Sequence, residues 1–537
     1  MNGLMMDYPL TLAHVLDRAG RYFPKQEIVS RRPDRSIHRT TYGEFHRRAG
    51  KLANALRRLG LASGDRVATL AWNHSRHLEA YFAVPLAGGV LHTLNPRLSA
   101  QDLAYMVNDA DDKIILVDDV LLPVLDKFRS EIRPRHVIVF GHGATPAGAL
   151  DYEQLIEPQS ADFDPGPIDE EQAAGICYTS GTTGRPKGVL YSHRALVLHS
   201  LISALPDSIG LSQADVVMPV VPMFHVNAWG LPFSCTMVGC KQVFPGPCLD
   251  PPSLLALLAE EKVTCTAGVP TIWLGILETL DKNPGAYDLK ALKQMVVGGS
   301  AAPPAMIEGY EKRHGLHILH AWGMTEMSPI GTICRVKSQL RSAPAAEQLR
   351  LRATQGLPVP FVELRAVGED GPAAWDGKSM GELQVRGPCI AKSYFQNPAE
   401  EDKFTRDGWF RTGDIVTVDP EGYIRITDRS KDVIKSGGEW ISSVDLENAL
   451  MGHPAVKEAA VVAIKHPKWD ERPVACVVLK EGQRASEDEL RRFLQPLFAK
   501  YQLPDAYVFM EQLPRTATGK FLKTALRQQL KDFKFSA

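Results

Sequence analysis

Apolar residues recur at helical spacing through residues 10–23 and 42–59, and between and after these lie short continuous apolar runs at 66–70, 113–117 and 136–140. A 3.6-residue period predicts amphipathic helices, and short runs rich in Val and Ile predict buried strands, so the chain opens as alternating α/β layers. Two later apolar runs, 263–267 and 294–297, follow helical stretches. Each ends in glycine, with Gly298-Gly299-Ser300 after the second, as expected where the carboxyl end of a strand faces a ligand. From about Gly381 the texture changes to short β-like pieces at 382–385, 408–410 and 422–424, followed by a smaller α+β unit. The charged run 428–432 lies between expected strands at 424–426 and 433–434 and marks the boundary. There is no internal repeat and no low-complexity segment.

Residues 216–240 contain no Asp, Glu, Lys or Arg. A membrane span is nevertheless refused, because Pro219, Pro222 and Pro232 would break a spanning helix, and His225 and Asn227 would place polar groups in hydrocarbon. A buried strand and turn lining a pocket is expected instead. The first twelve residues lack a basic region followed by an apolar core, so no signal peptide is read there.

At 537 residues and 44% hydrophobic content the chain exceeds one compact core, which predicts two or more domains. Sixty-one basic against 62 acidic residues give a formal charge of -1, which disfavours a nucleic-acid surface and charge-driven docking on a membrane. Eight cysteines without a CxxC pair predict reduced thiols in a cytoplasmic enzyme and imply no metal cage.

The densest chemistry lies at 178–188, Tyr-Thr-Ser-Gly-Thr-Thr-Gly-Arg-Pro-Lys-Gly. Gly181, Gly184 and Gly188 let backbone N–H groups approach an anion closely. Thr179, Ser180, Thr182 and Thr183 add hydroxyl donors, and Lys187 adds a cation, which together form a polyphosphate cradle. The order Gly-Lys-Ser/Thr of a P-loop is absent, so ordinary kinase or ATPase chemistry is not expected.

This segment resembles the phosphate loop of the AMP-forming adenylate synthetases, the superfamily of acyl-CoA synthetases, luciferases and peptide-synthetase adenylation domains. Three further blocks resemble it in the same order. By that resemblance, in His320-Ala321-Trp322-Gly323-Met324-Thr325-Glu326, Trp322 stacks on adenine, Thr325 contacts the α-phosphate and Glu326 holds magnesium, with Thr179 as a second metal ligand. Trp322 supplies the flat face where the family more often has Tyr. In the block 409–414, Asp414 takes both ribose hydroxyls with its two acceptor oxygens. In the block 513–520, Lys520 is the activating cation. Arg429 and Lys431, at the hinge, are counted with the cofactor-binding residues, as are Gly299, Ser300 and Ala301.

The resemblance extends to bacterial medium- and long-chain fatty acyl-CoA synthetases through residues 221–229, where Trp229 would gate an apolar acyl tunnel. His225 would be a contact near the carboxylate, Val226 a further substrate-binding residue, and Gly268 and Val269 would form other walls together with Gly299, Ser300 and Ala301. Lys435, Gly437, Gly438, Glu439 and Trp440 match the face that covers a pantetheine tunnel after the C-terminal domain rotates about the hinge.

The resemblance therefore implies an α/β fold. A large N-terminal adenylate-forming domain (1–428) of layered β-sheets with helices plus a small β-barrel would precede a small mobile α+β C-terminal domain (429–537). The implied activity is ATP- and magnesium-dependent ligation of a medium- to long-chain fatty acid to coenzyme A through an acyl-adenylate, with Lys520, Glu326, Thr325 and Lys187 as catalytic residues. A short, branched or methylthio-substituted acid is the alternative substrate. A carrier-protein acceptor and a non-catalytic nucleotide or fatty-acid sensor are the rival functions. Relatives include homodimers, and the equivalent lysine is acetylated in relatives. A homodimer and a lysine acetyltransferase acting on Lys520 are expectations carried by the resemblance alone.

Overall fold

The structure is a computed structural model that describes all residues except 2, 142, 144, 180–184, 369, 437, 438, 516–520, 534, 536 and 537. The amphipathic segments become the helices Leu12–Tyr22 and Tyr42–Arg58, and the apolar runs become the strands Arg66–Leu70, Asp112–Asp118, His136–Phe140 and Gln294–Val297. Thr41 caps the second helix by accepting the Glu44 N–H, which satisfies one of the donors that a helix start leaves open.

Among the described residues the strands assemble into four sheets. Two are large and mainly parallel. Strand residues alternate between their faces, as a two-residue period requires. Ile114, Leu116, Ile138 and Phe140 face an inner core shared with Val217, Ala267 and Val296 of the other large sheet, whereas Ile115, Val117, Val137 and Val139 face an outer core. The inner core also takes residues from the helices Leu12–Tyr22, Tyr42–Arg58, Ser75–Leu86 and Leu231–Val238, which therefore lie between the two large sheets. Met295 and Val297 face away from them, onto the helices Pro251–Glu260 and Pro270–Lys282.

The small β-unit expected as a barrel is, among the described residues, an antiparallel sheet of five strands, tied to the large domain by the Gly356–Ile424 bridge. Its strand Phe410–Val418 starts at the end of the piece read at 408–410, and Ile424–Arg429 starts where expected but carries Asp428 and Arg429 within it rather than in a connector. The fourth sheet, centred on the hairpin of Val456–His466 and Asp470–Leu479, packs Val461 against one core and Val462 against another. It forms the small C-terminal domain.

In the uncharged stretch 216–240 the strand Val216–Pro219 and a turn form as expected, but the helix Leu231–Val238 follows them. Pro232 sits in its first turn, where a missing N–H costs nothing, so the proline that excludes a spanning helix also starts this short one. No described helix is long and apolar enough to cross a membrane.

Candidate active site

The carboxyl ends of parallel strands converge on a cleft of about 540 Å³. The strand Gln294–Val297 delivers Gly298 to Ala301. The next strand, Ile318–Gly323, delivers His320, Ala321, Trp322 and Gly323, and Met324, Thr325 and Glu326 follow in a short turn. Across from them the five-stranded sheet contributes Asp414 and Arg429, which are register partners on adjacent strands. Gly413, at φ 73°, places the chain in the left-handed region just before Asp414, a conformation that costs glycine little.

Asp414 is 2% exposed, and both its oxygens are engaged. The indole N–H of Trp322 donates to Oδ2 at 3.0 Å, and Arg429 Nε lies 2.8 Å from Oδ1. Trp322 thus contributes an N–H donor to Asp414 as well as a flat aromatic face. Glu326 is also buried, and its Oε1 accepts the Tyr394 hydroxyl at 2.6 Å. Burial, and then the charge of Glu326, hold that phenol well above its ordinary pKa, so it remains a donor.

Thr179 and Lys187 are tied to each other at the two ends of the segment 179–187. The Thr179 N–H donates to the Lys187 carbonyl at 2.9 Å, and Thr179 Oγ1 accepts the Lys187 N–H at 3.2 Å. The Lys187 ammonium pairs with Glu400 at 2.5 Å beside the Tyr394 ring. Tyr191, on the strand leaving the loop, donates its hydroxyl to the Thr325 carbonyl at 2.6 Å and so links this segment to the turn that holds Glu326.

His320 is buried, and desolvation lowers its pKa to about 4, so the ring is neutral at physiological pH. Its Nε2 accepts the Ala302 N–H at 3.3 Å, which leaves the proton on Nδ1.

The apolar arm of the cleft is built on an unusual backbone. Five consecutive residues, Val226, Asn227, Ala228, Trp229 and Gly230, have φ of 45°, 53°, 48°, 59° and 75°. A left-handed turn costs roughly 1–2 kcal/mol per L-residue, and a β-branched valine there is an outlier. The turn aims Trp229 into the cleft, against Gly298. A β-carbon at 298 would stand 3.2 Å from Trp229 Cη2 and 3.0 Å from the Ala321 carbonyl oxygen. His225 and Val269 line the same arm.

Of the other residues singled out in the sequence, Gly299, Ser300, Ala301, Met324 and Lys431 line the cleft. Gly268 does not, because Trp273 packs on it from behind; a β-carbon at 268 would lie 2.6 Å from that ring. Lys435 and Trp440 do not line it either. They lie on the paired strands Ile434–Ser436 and Glu439–Ile441, with the Lys435 ammonium 5.9 Å from the indole centroid. Ser180, Gly181, Thr182, Thr183, Gly184, Gly437, Gly438 and Lys520 lie outside the described residues.

Tyr394 and Arg97 are among the cleft residues that escape the sequence reading. Tyr394 carries no local motif and meets Glu326 only through a 68-residue loop closure. Arg97 lies over the rings of Trp72 and Phe224, at 5.6 and 5.7 Å, and among the described residues forms no ion pair with a carboxylate.

Among the described residues no three His, Cys, Asp or Glu side chains gather as a metal cage. A single buried carboxylate such as Glu326 instead suits a hard cation that takes most of its other ligands from a phosphate-bearing substrate and water.

The AMP-binding enzyme family model matches residues 16–395, and the model of its C-terminal domain matches residues 445–520. The chain is 54% identical to a long-chain-fatty-acid–CoA ligase of Thermus thermophilus over 98% of this chain and 97% of that one. It is 47% identical to a 3-methylmercaptopropionyl-CoA ligase of Ruegeria lacuscaerulensis over 99% of each. Among solved structures it resembles an anthranilate CoA ligase in complex with anthranoyl-AMP, with a TM-score of 0.88, 27% identity and 98% of each chain covered. With two matched models and a relative 54% identical over nearly its whole length, the chain belongs to the AMP-binding enzyme family.

Proposed function

We propose that the protein joins a medium- to long-chain fatty acid to coenzyme A through an acyl-adenylate, consuming ATP and releasing pyrophosphate and AMP. The observation that carries this is the continuity of the cleft, from Trp322 and Asp414 at one end to the apolar arm under Trp229 at the other. Adenine lies on the Trp322 face and ribose on Asp414, where its hydroxyls share or replace the Arg429 contact. The acid enters along Trp229, each buried methylene contributing about 0.8 kcal/mol. Thr325 and Lys187 face the α- and distal phosphates, and Lys520 meets the carboxylate and α-phosphate. Fixed cations of this kind offset the charge that builds on phosphorus.

Magnesium fits Glu326 and Thr179 by the chemistry of those donors, and when bound it would neutralise phosphate charge. The domain boundary, read at Asp428 from the sequence, is proposed just after Arg429, because the strand Ile424–Arg429 carries that residue. The localisation that fits this chemistry is the cytoplasm. A homodimer and acetylation of Lys520 remain proposals resting on family resemblance.

The resemblance to a 3-methylmercaptopropionyl-CoA ligase, together with the Trp229 indole lining the arm, favours a second reading in which the acid is short or methylthio-substituted. Pyrophosphate release across saturated acids of increasing length and 3-methylthiopropionate, with and without CoA, separates the two. Release that rises with chain length and turns over only with CoA supports the first. Release confined to short acids replaces it with the second, and no release with any acid favours a sensor. Lys520→Ala is expected to abolish pyrophosphate release while largely sparing thioester formation from supplied adenylate.

A further inference from the structure

Lys523 opens the helix Lys523–Gln529, three residues beyond Lys520. Its ammonium is buried in a polar network that the proposed reaction does not use. It pairs with Glu447 Oε1 at 2.6 Å and donates to the Ser443 hydroxyl. Ser443 in turn donates to Asp428 Oδ2 twice, from its N–H at 2.7 Å and from its hydroxyl at 2.6 Å. Glu447 also accepts the Val461 N–H at 2.8 Å, and Asp428 is 1% exposed.

The members of this network come from different parts of the chain. Ser443 and Glu447 lie on the helix Ser443–Met451, which packs on the C-terminal hairpin. Asp428 lies on the strand Ile424–Arg429 of the five-stranded sheet, next to the Arg429 that holds Asp414. The network therefore runs from the chain just after Lys520, across the domain junction, to the neighbour of the ribose carboxylate. Buried ion pairs are weak sources of net stability, but they are costly to leave half-made, so they enforce one arrangement over its competitors.

The arrangement enforced here can be read from the cleft. Arg515, Phe521 and Leu522, which flank 516–520, line it, whereas Lys435 and Trp440 do not. We infer that Lys523 is a positioning residue that, through Ser443 and Asp428, holds the C-terminal domain in the pose of the acid-activating half-reaction. This rests on the reading that acid activation uses Lys520. Any rotation that brings the 435–440 hairpin to the cleft must first release Asp428 from Ser443.

The test measures the two half-reactions separately in the full-length enzyme: pyrophosphate release from acid and ATP, and acyl-CoA formation from supplied acyl-adenylate and CoA. Lys523→Met should lower kcat of the first at least tenfold with KM for ATP within twofold, and leave the second within twofold. Lys523→Arg should restore most of the loss, and Ser443→Ala should reproduce it more mildly. Equal losses in both half-reactions, or none in the first, overturn the inference. If Lys523→Met is recovered unfolded, Ser443→Ala decides on the same criteria. The distance between labels on the two domains, measured with a non-hydrolysable adenylate analogue bound, should change in Lys523→Met and not in Lys520→Ala. An unchanged distance in Lys523→Met overturns the inference, whereas intact activation in Lys520→Ala overturns only the reading of that lysine.

Discussion

The indole nitrogen of Trp322 lies 3.0 Å from Asp414 Oδ2, so the ring proposed to stack on adenine also holds the carboxylate proposed to bind ribose. A hydrogen bond to a charged acceptor contributes roughly 1.5–3 kcal/mol, and Arg429 occupies the other oxygen. Trp322→Phe keeps an aromatic face and removes the N–H. KM for ATP is expected to rise about tenfold with kcat changed less than threefold, measured by pyrophosphate release. An unchanged KM would mean that Arg429 alone holds the carboxylate.

Tyr394 gives Glu326 its one hydroxyl partner among the described residues. Tyr394→Phe leaves a buried carboxylate less well oriented for magnesium. The magnesium concentration giving half-maximal rate should rise several-fold while the rate at saturating magnesium stays within threefold. A loss that excess magnesium does not restore would assign Tyr394 a different role.

Gly298 faces the Trp229 indole, and a β-carbon added at 298 would stand 3.2 Å from it. Gly298→Ala should displace the ring into the arm and lower kcat/KM for long acids more than for short ones. Trp229→Ala should flatten the chain-length profile. A uniform change across acids in both variants would place the acyl chain elsewhere.

Arg97 stacks on Trp72 and Phe224 at the cleft wall, its charge uncompensated by any carboxylate among the described residues. Such a cation suits the phosphates of coenzyme A. Arg97→Ala should raise KM for CoA about tenfold and leave KM for ATP unchanged. A shift in the ATP value instead would assign Arg97 to the nucleotide.

Burial holds His320 and His199 near pKa 4, well below the ordinary 6.5, so the native rings refuse a proton that the unfolded chain accepts. Their contribution to stability is complete above pH 6.5 and is lost as pH falls from 6.5 to 4, roughly 3 kcal/mol for each ring. Tm should fall through that window, and His199→Gln should make the fall shallower. An equal slope in wild type and variant would show that His199 is protonated in the native state.

Some of this was decided by the chain alone. The strands Arg66–Leu70, His136–Phe140 and Gln294–Val297 are legible because period and β-branching are local properties, and the cleft segment with Trp322, Thr325 and Glu326 is legible because the resemblance that singles it out is carried by one short continuous stretch of sequence. What only the folded chain decides is long-range. Tyr394 reaches Glu326 across 68 residues and Lys523 reaches Ser443 across 80, and no periodicity encodes a meeting that depends on how whole sheets pack. The left-handed turn at 226–230 is equally hidden, since Val, Ala and Trp locally disfavour it and only the surrounding core holds them there. The extension of the strand Ile424–Arg429 through Asp428 has the same origin: charged residues that read as a connector become strand because Asp414 and Ser443 supply their partners.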